Sequence, residues 1–446
     1  MHKRTLMAHS SSSETPPVGA SAARPSLLRG RNLKWLMGGS AVSLLGDQFT
    51  LVALPWLVLR MTGDTLVLGT VLALMGIPRA LFMLIGGAVV DRYSPKRVLM
   101  LSKHANTVLL GALAALVLFD GLTLPLVYGL ALGIGLATAF SIPASTSILP
   151  QVVTPAQLPA ANGLLMGLRQ LSFFVGPLLA GALIAGLGDG RASGVGNLHG
   201  AHGLGLAFGL DALSFVLSAL TLAQVRTAPP APRAHAPVFA SVAEGLRSFW
   251  YDRALRSCLL YWSAVALLVT GPVQIALPVL ASSVPSPGAA AFGALLAAYG
   301  AGTLVGMAVS GARPQLRVVN LGLTILGVDA LVGLLFMPLG RITALWQGVS
   351  LLVMIGVLGG YMQVTVFTWI QRLVAPALLG RAMSVFMFIY MGLAPLSSAT
   401  TGWLLRSVSL PILFMAAGGA LVVLVLVALA GSAMRHVTDA PPVAVV

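Results

Sequence analysis

Residues 35–59 read W-L-M-G-G-S-A-V-S-L-L-G-D-Q-F-T-L-V-A-L-P-W-L-V-L. Asp47 is the only charged residue in this run of 25. A helix rises about 1.5 Å per residue, and about 20 apolar residues cross the hydrocarbon core of a bilayer. The run is long enough to cross. A barrel strand would alternate apolar and polar residues, and this run does not, so a helix must satisfy its own backbone groups here. Asp47 stands 12 positions before Leu59, near the middle of the span. A carboxylate at that depth is costly and is a functional candidate by default.

Working outward, eleven more runs of the same kind follow, at roughly 66–90, 98–118, 124–147, 161–187, 204–224, 257–281, 289–311, 318–338, 342–366, 382–405 and 410–433. The 446 residues are 57% hydrophobic and 8% charged, with a mean hydropathy of +0.95. Soluble domains carry about a quarter charged residues. An ordinary soluble enzyme, a nucleic-acid binder and a disordered chain are therefore excluded. The expected fold class is an all-α membrane protein with twelve transmembrane helices in two six-helix bundles. No nucleophile–base constellation is present, so no enzyme is expected. No cofactor is expected: the Gly-rich stretches 129–133 and 302–306 lack a Walker sequence and read as tight helix packing. His199 and His202 lack a Cys or acid at matching spacing, so no metal site is expected. Cys258 is the only cysteine, which excludes an intrachain disulfide.

Lys and Arg outnumber Asp and Glu by 26 to 11. With the N-terminus placed inside, the tails and even-numbered loops hold twenty of the basic residues, and the odd-numbered loops hold Arg60, Arg191, Arg341 and Arg406. This positive-inside bias predicts a multi-pass protein of the cell membrane with both termini cytoplasmic. Residues 1–32 form a Ser-, Pro- and Ala-rich tail, expected to be disordered and cytoplasmic. The N-terminal bundle is expected over 33–224 and the C-terminal bundle over 257–433, with a tail at 434–446. Between the bundles lies a cytoplasmic linker, 225–256. It opens Pro-rich and continues S-V-A-E-G-L-R-S-F-W-Y-D-R, a short surface helix by its amphipathic pattern. Two six-helix halves about a central linker form the layout of a rocking secondary transporter.

Between spans two and three stands G-A-V-V-D-R-Y-S-P-K-R, residues 87–97. Gly87 allows close helix approach, and the basic residues can meet acids or helix C-termini. This stretch resembles the loop motif of the major facilitator superfamily. So do S-L-L-G-D-Q-F-T-L-V-A-L-P-W-L in span one, L-P-A-A-N-G-L-L and V-G-P-L-L-A-G around span five, and L-G-R-A-M-S-V-F-M-F-I-Y-M-G-L-A-P-L around span eleven. Within that superfamily they resemble the macrolide-efflux and enterobactin-exporter branch of drug:proton antiporters, over about residues 33–433. The resemblance implies that Gly87, Asp91, Arg92, Lys96 and Arg97 form a cytoplasmic gate latch. Span four lacks the Arg that many such antiporters carry, and Ser310 stands where the second half would repeat the motif's Asp.

Five ionisable residues fall inside spans: Asp47, Arg79, Arg169, Asp211 and Asp329. Asp47 and Arg79 sit at similar depth on neighbouring antiparallel spans and are the proton-coupling candidates. Three arrangements are open: Arg79 modulating a titrating Asp47, a permanent ion pair that fixes packing, or no contact. Arg169 can snorkel to headgroups, bind an anionic substrate group or pair with Asp91. Asp211 and Asp329 read as structural hydrogen-bonding groups, and Lys103 and His104 as interfacial. By the resemblance, spans one, four, seven and ten line the pathway. The lining candidates are Gln48, Thr50, Ser141, Ser145, Thr146, Gln274 and Gln363, with Arg169 and, in span eleven, Tyr390 as further contacts. Gly176-Pro177 reads as a helix bend, and Trp56 as an interfacial aromatic at the outer end of span one.

The resulting expectation is a monomeric secondary transporter that exports amphipathic, macrolide-like small molecules in exchange for protons. Its partners are the substrate, protons and the lipid bilayer, with no nucleic acid. The alternatives are a siderophore or lysophospholipid transporter and a non-transporting membrane sensor or assembly protein.

Overall fold

The computed structural model describes residues 30–189, 196, 198–227, 253–284, 288–313, 316, 319–373 and 376–437. Within its helices the side chains of 83–88, 91, 253–255, 376–385, 387–390, 433 and 436 are outside the description. The linker helix expected within 225–256 and both terminal tails fall almost wholly outside the described residues.

The chain is all helical. In order, the long helices are α1 (Arg31–Thr62), α2 (Thr65–Tyr93), α3 (Pro95–Leu118), α4 (Leu124–Ile148), α5 (Leu158–Leu187) and α6 (His202–Gln224). Then come α7 (Arg253–Gly271, continuing through Pro272–Ala276 to Leu277–Ser283), α8 (Gly288–Ala312), α9 (Leu321–Leu339), α10 (Leu345–Leu373), α11 (Pro376–Leu404) and α12 (Leu410–Gly431). Eleven are long and apolar enough over described residues to cross a membrane. α11, with 29 residues, completes the twelve.

Local chemistry sets the breaks. α1 stops where Gly63 turns left-handed at φ 63 and its N–H returns to Leu59 O. Asp64 then caps α2 by accepting from Leu66 N at 2.8 Å. The short gap expected between spans nine and ten is wider in the structure. Asn320 caps α9 by accepting from Leu323 N at 2.8 Å, which fixes its start at Leu321 rather than 318. α10 begins at Leu345 and runs on to Leu373, beyond the expected 366, because nothing in T-W-I-Q-R-L breaks a helix. In α7, Pro272 lacks an N–H, and a π-helical turn spans Pro272–Ala276.

The termini-bearing face is built alike in both halves. In the first, Asn32 Nδ2 donates to Arg226 O at 3.0 Å, and Arg226 N donates to Asn32 Oδ1 at 3.1 Å. Lys96, at the start of α3, donates to Ala223 O at 3.1 Å and Val225 O at 2.6 Å, placing a cation on the C-terminus of α6. In the second, Asn320 at the start of α9 donates to Arg435 O at 2.9 Å, beyond the end of α12. α3 and α9 are thus each tied to the exit of the last helix in their half.

Glycines set the closest crossings. α8 lies on α10 because Gly302 and Gly306 face Val353 O and Val357 O, while Gly356 and Gly360 face Tyr299 O and Thr303 O. A methyl at any of the four would overlap a carbonyl. The halves meet through α2 on α11 and α5 on α8. Gly69 and Gly402 admit Ser398 O and Thr65 O, and Gly181 and Gly293 admit Ala289 O and Pro177 O. Thr65 donates to Gly402 O at 2.9 Å. Asp64 pairs with Arg406, whose Nε reaches Asp64 Oδ1 at 3.1 Å. This guanidinium holds the Asp64 carboxyl below the usual carboxylate range. Trp56, expected at a lipid interface, is only 2% exposed and packs against Gly288. These inter-half contacts all lie toward the face opposite the termini, which is closed.

Candidate functional site

A recess of about 160 Å³, lined by both polar and apolar side chains, opens inside the first half, walled by α1, α3, α4, α5 and α6. Asp47 from α1 and Arg169 from α5 face it. Lys103 and Asn106 come from α3, Thr138, Ser141 and Ser145 from α4, and Ser218 and Thr221 from α6. Leu36, Leu149 and Leu222 line its end toward the termini-bearing face.

Asp47 is the centre of a charge cluster. Lys103 and Arg169 share the recess with its carboxylate, and Arg79 of α2 is a further cation in its electrostatic surroundings. Asp211 of α6 is a second carboxylate in its electrostatic surroundings, outside the recess lining. Among the described residues no cation comes within 4.0 Å of Asp47. Asp47 and Arg79 therefore interact at a distance, without a direct ion pair.

Sequence reasoning misses Lys103 as a site residue, because a Lys one turn into a span reads as interfacial. It is only 8% exposed, and its ammonium donates to Ser218 Oγ at 2.6 Å. Ser218 Oγ in turn donates to Gly39 O at 2.7 Å. The ammonium also lies 5.6 Å from the centre of the Phe215 ring. The signal in the sequence was a Lys in an apolar run, followed three residues later by Asn106. Which face of α3 meets α6 is a tertiary property that no spacing on α3 discloses. His104, on the next face, is exposed and bonds Met100 O at 2.7 Å.

The other expected residues divide by location. Ser141, Ser145 and Arg169 line the recess with Asp47. Thr50 and Gln48 turn elsewhere. Thr50 is buried and donates to Asp211 Oδ2 at 2.5 Å, while Ser214 donates to Asp211 Oδ1 at 3.2 Å. α1 and α6 are locked there, with Gly46 leaving room for the carboxylate. Gln48 packs on Gly176 of α5, and Gly176 is a close-approach position within a helix that runs unbroken past Pro177 to Leu187. Gln274 accepts from Ser398 at 2.8 Å and so joins the π turn of α7 to α11. Gln363 is an exposed position of α10 and Thr146 of α4. Of the loop motif, Arg92 and Arg97 are exposed and Lys96 bonds the end of α6. Gly87 and Asp91 lie in the helical backbone of α2 with side-chain surroundings outside the described residues, as does Tyr390 in α11. Asp329 accepts from Tyr261 Oη at 2.7 Å, joining α9 to α7.

A family model described as Major Facilitator Superfamily matches residues 36–399. The multidrug efflux pump Tap of Mycolicibacterium fortuitum is 30% identical over 235 residues, covering 51% of this chain and 53% of that protein. Tap of Mycobacterium tuberculosis is 27% identical over 414 residues, covering 91% and 94%. The enterobactin exporter EntS of Shigella boydii is 25% identical over 336 residues, covering 74% of each. The crystal structure of the nucleoside transporter NupG superposes with a TM-score of 0.70 at 13% identity, covering 91% of this chain and 100% of that one. A bacterial homolog of the human lysosomal transporter Spinster, inward-facing and unoccupied, gives 0.63 at 16% identity, covering 91% and 96%. At these identities the structural likeness shows the fold alone. The family match extends over most of the twelve helices, and the chain belongs to the Major Facilitator Superfamily, as a multi-pass membrane transporter and not an enzyme.

Proposed function

We propose that this transporter exports amphipathic small molecules in exchange for protons. It does so from the cell membrane, with both termini in the cytoplasm. The single observation that carries the reading is the Asp47 carboxylate lining a recess inside the first half together with two cations, Lys103 of α3 and Arg169 of α5. An ionised carboxylate in a low-dielectric surround needs such compensation. Once protonated, the same group loses acceptor capacity and gains an O–H donor. A proton and a hydrogen-bonding cargo group therefore compete for the same oxygens, which is the exchange logic of an antiporter.

The construction of the two halves supports alternating access. They touch through the glycine crossings of α2 on α11 and α5 on α8. Parting those crossings opens the far face, while Arg92, Lys96 and Arg97, with Gly87 and Asp91, latch the termini-bearing face in that state. The relation to Tap and EntS supports export, and the positive-inside bias supports the orientation. A siderophore or lysophospholipid cargo is the second reading, favoured by the two cations, Lys103 and Arg169, that face the recess.

The test is proton release from energised inverted vesicles challenged with macrolides, dyes, siderophores and lysolipids. A saturable collapse of the pH gradient, absent in Asp47→Asn at matched expression, supports antiport and identifies the cargo class. Proton coupling in Asp47→Asn equal to wild type would remove Asp47 from the mechanism.

A further inference from the structure

A second concavity lies in the other half, on the far face, and shares no residue with the Asp47 recess. It is a groove of about 540 Å³ between the end of α9 and the starts of α10 and α12. That volume falls in the range of about 300–1,000 Å³ typical of ligand clefts. Its floor is apolar, with Met337 from α9, Leu351 from α10 and Met415 from α12. Its rim carries Arg341, Trp346 and Gln347.

The rim groups are donors without acceptors. Gln347 Oε1 accepts from Thr343 N at 2.8 Å and Ala344 N at 3.2 Å, which closes the start of α10. Its Nε2 has no acceptor among the described residues. The Arg341 guanidinium is exposed and meets no carboxylate among the described residues. The sequence holds no Asp or Glu between Asp329 and Asp439, and Asp329 is bonded to Tyr261. Arg406, another far-face cation, is held by Asp64. Ser350, also in the lining, donates to Gln347 O at 2.9 Å, so its oxygen can still accept. An oxyanion suits this rim. An ammonium group would meet Arg341 with no carboxylate to offset it.

Depth adds hydrocarbon to the oxyanion. Leu351 lies about 9 Å inside the start of α10. The apolar surface continues along the same helix faces. Leu334 stands one turn before Met337, Met354 one turn after Ser350 and Val423 two turns after Met415, and all three are exposed. Trp346, 69% exposed at the mouth, has the amphipathic ring that collects at the headgroup level of a bilayer.

We propose that this groove binds an anionic glycerophospholipid of the surrounding leaflet. The phosphate accepts from Arg341 and Gln347, and one acyl chain runs over Met337 and Met415 toward Leu334 and Val423. Such a lipid joins α9, α10 and α12 at the closed face.

The test places the full chain in liposomes containing phosphatidylglycerol or phosphatidylethanolamine with a diazirine on one acyl chain. Crosslinked residues are mapped by mass spectrometry. Labelling at the groove is expected to be stronger with phosphatidylglycerol. Arg341→Gln should cut it about five- to tenfold, while labelling on the exposed face of α3, at Leu101 and Val108, stays unchanged. Arg341→Lys should restore part of it. Gln347→Glu keeps the oxygen that closes α10, sets a negative charge beside the phosphate and should lower labelling as well. If a variant does not fold, the headgroup preference of the wild-type chain decides alone. Equal labelling by the two lipids, unmoved by Arg341→Gln, marks ordinary annular lipid and overturns the proposal. Stronger labelling by phosphatidylethanolamine overturns it too, as does displacement of both lipids alike by a macrolide, which would make the groove a cargo site.

Discussion

The two six-helix halves share a frame and differ in what it carries. Both tie the start of their third helix to the exit of their sixth, through Lys96 in one and Asn320 in the other. Both pack their second helix tightly on their fourth. Their intramembrane charge is unequal. The first half holds Asp47, Arg79, Lys103, Arg169 and Asp211, gathered around α1. The second, among its described residues, holds Asp329, which accepts one hydrogen bond from Tyr261. Lys103 and Asp329 occupy the same place, the ninth residue of α3 and of α9. One is a cation beside a recess and the other a carboxylate bonded to a phenol. On the proposed reading, the shared frame serves the rocking of the halves, and the charge cluster assigns proton coupling to the first half.

The sharpest way to break this comparison is a matched pair of substitutions. Asp47→Asn should abolish proton-coupled transport, while Asp329→Asn should leave coupling intact, both read as pH-gradient collapse in vesicles. The next effect in size concerns the joint between the halves. Gly293→Leu drives a side chain into Pro177 O, and such overpacking costs about 1–3 kcal/mol. Closure of the far face should fall correspondingly, measured as increased labelling of a cysteine introduced at the buried Ala289. An unchanged labelling rate would mean that α5 and α8 are not the closing surface. Smaller again is Tyr261→Phe. It removes the phenol from Asp329 and should lower thermal stability by about 1 kcal/mol, without altering the pH profile of transport. A shifted profile would bring the second half into the coupling chemistry.

The smallest effect should come from Asp64 and Arg406, which join the halves at the exposed far face. The Arg406 hydrogen bond lowers the carboxyl below its ordinary range. Its contribution to closure is therefore complete above the ordinary carboxylate pKa, near about 4, and is lost as pH falls through the lowered value. Asp64→Asn should slightly weaken far-face closure equally at pH 6 and pH 8. A closure defect that appears only at one of these pH values would contradict that assignment.

The fold was readable because a bilayer imposes length and apolarity on each span, as in 35–59, and because a central charged linker divides twelve such runs into six and six. Helix ends followed less well. The start of α9 depends on one side-chain cap from Asn320, and that signal is weak beside an apolar run. Within the site, Asp47 and Arg169 stood out because charge inside an apolar run is conspicuous at any orientation. Thr50 and Gln48 were placed in the pathway by their helix alone. The structure turns Thr50 toward Asp211 and Gln48 onto Gly176, since the facing of a residue depends on which helices α1 meets. Lys103 escapes a sequence reading for the same reason, since a depth of one turn is compatible with both snorkelling and burial.

One measurement addresses the central claim most directly: substrate-induced proton flux in proteoliposomes of Asp47→Asn and Asp329→Asn, at matched protein content. The account predicts flux lost in the first and retained in the second. Flux retained in Asp47→Asn, or lost only in Asp329→Asn, would show that the first half does not carry the coupling.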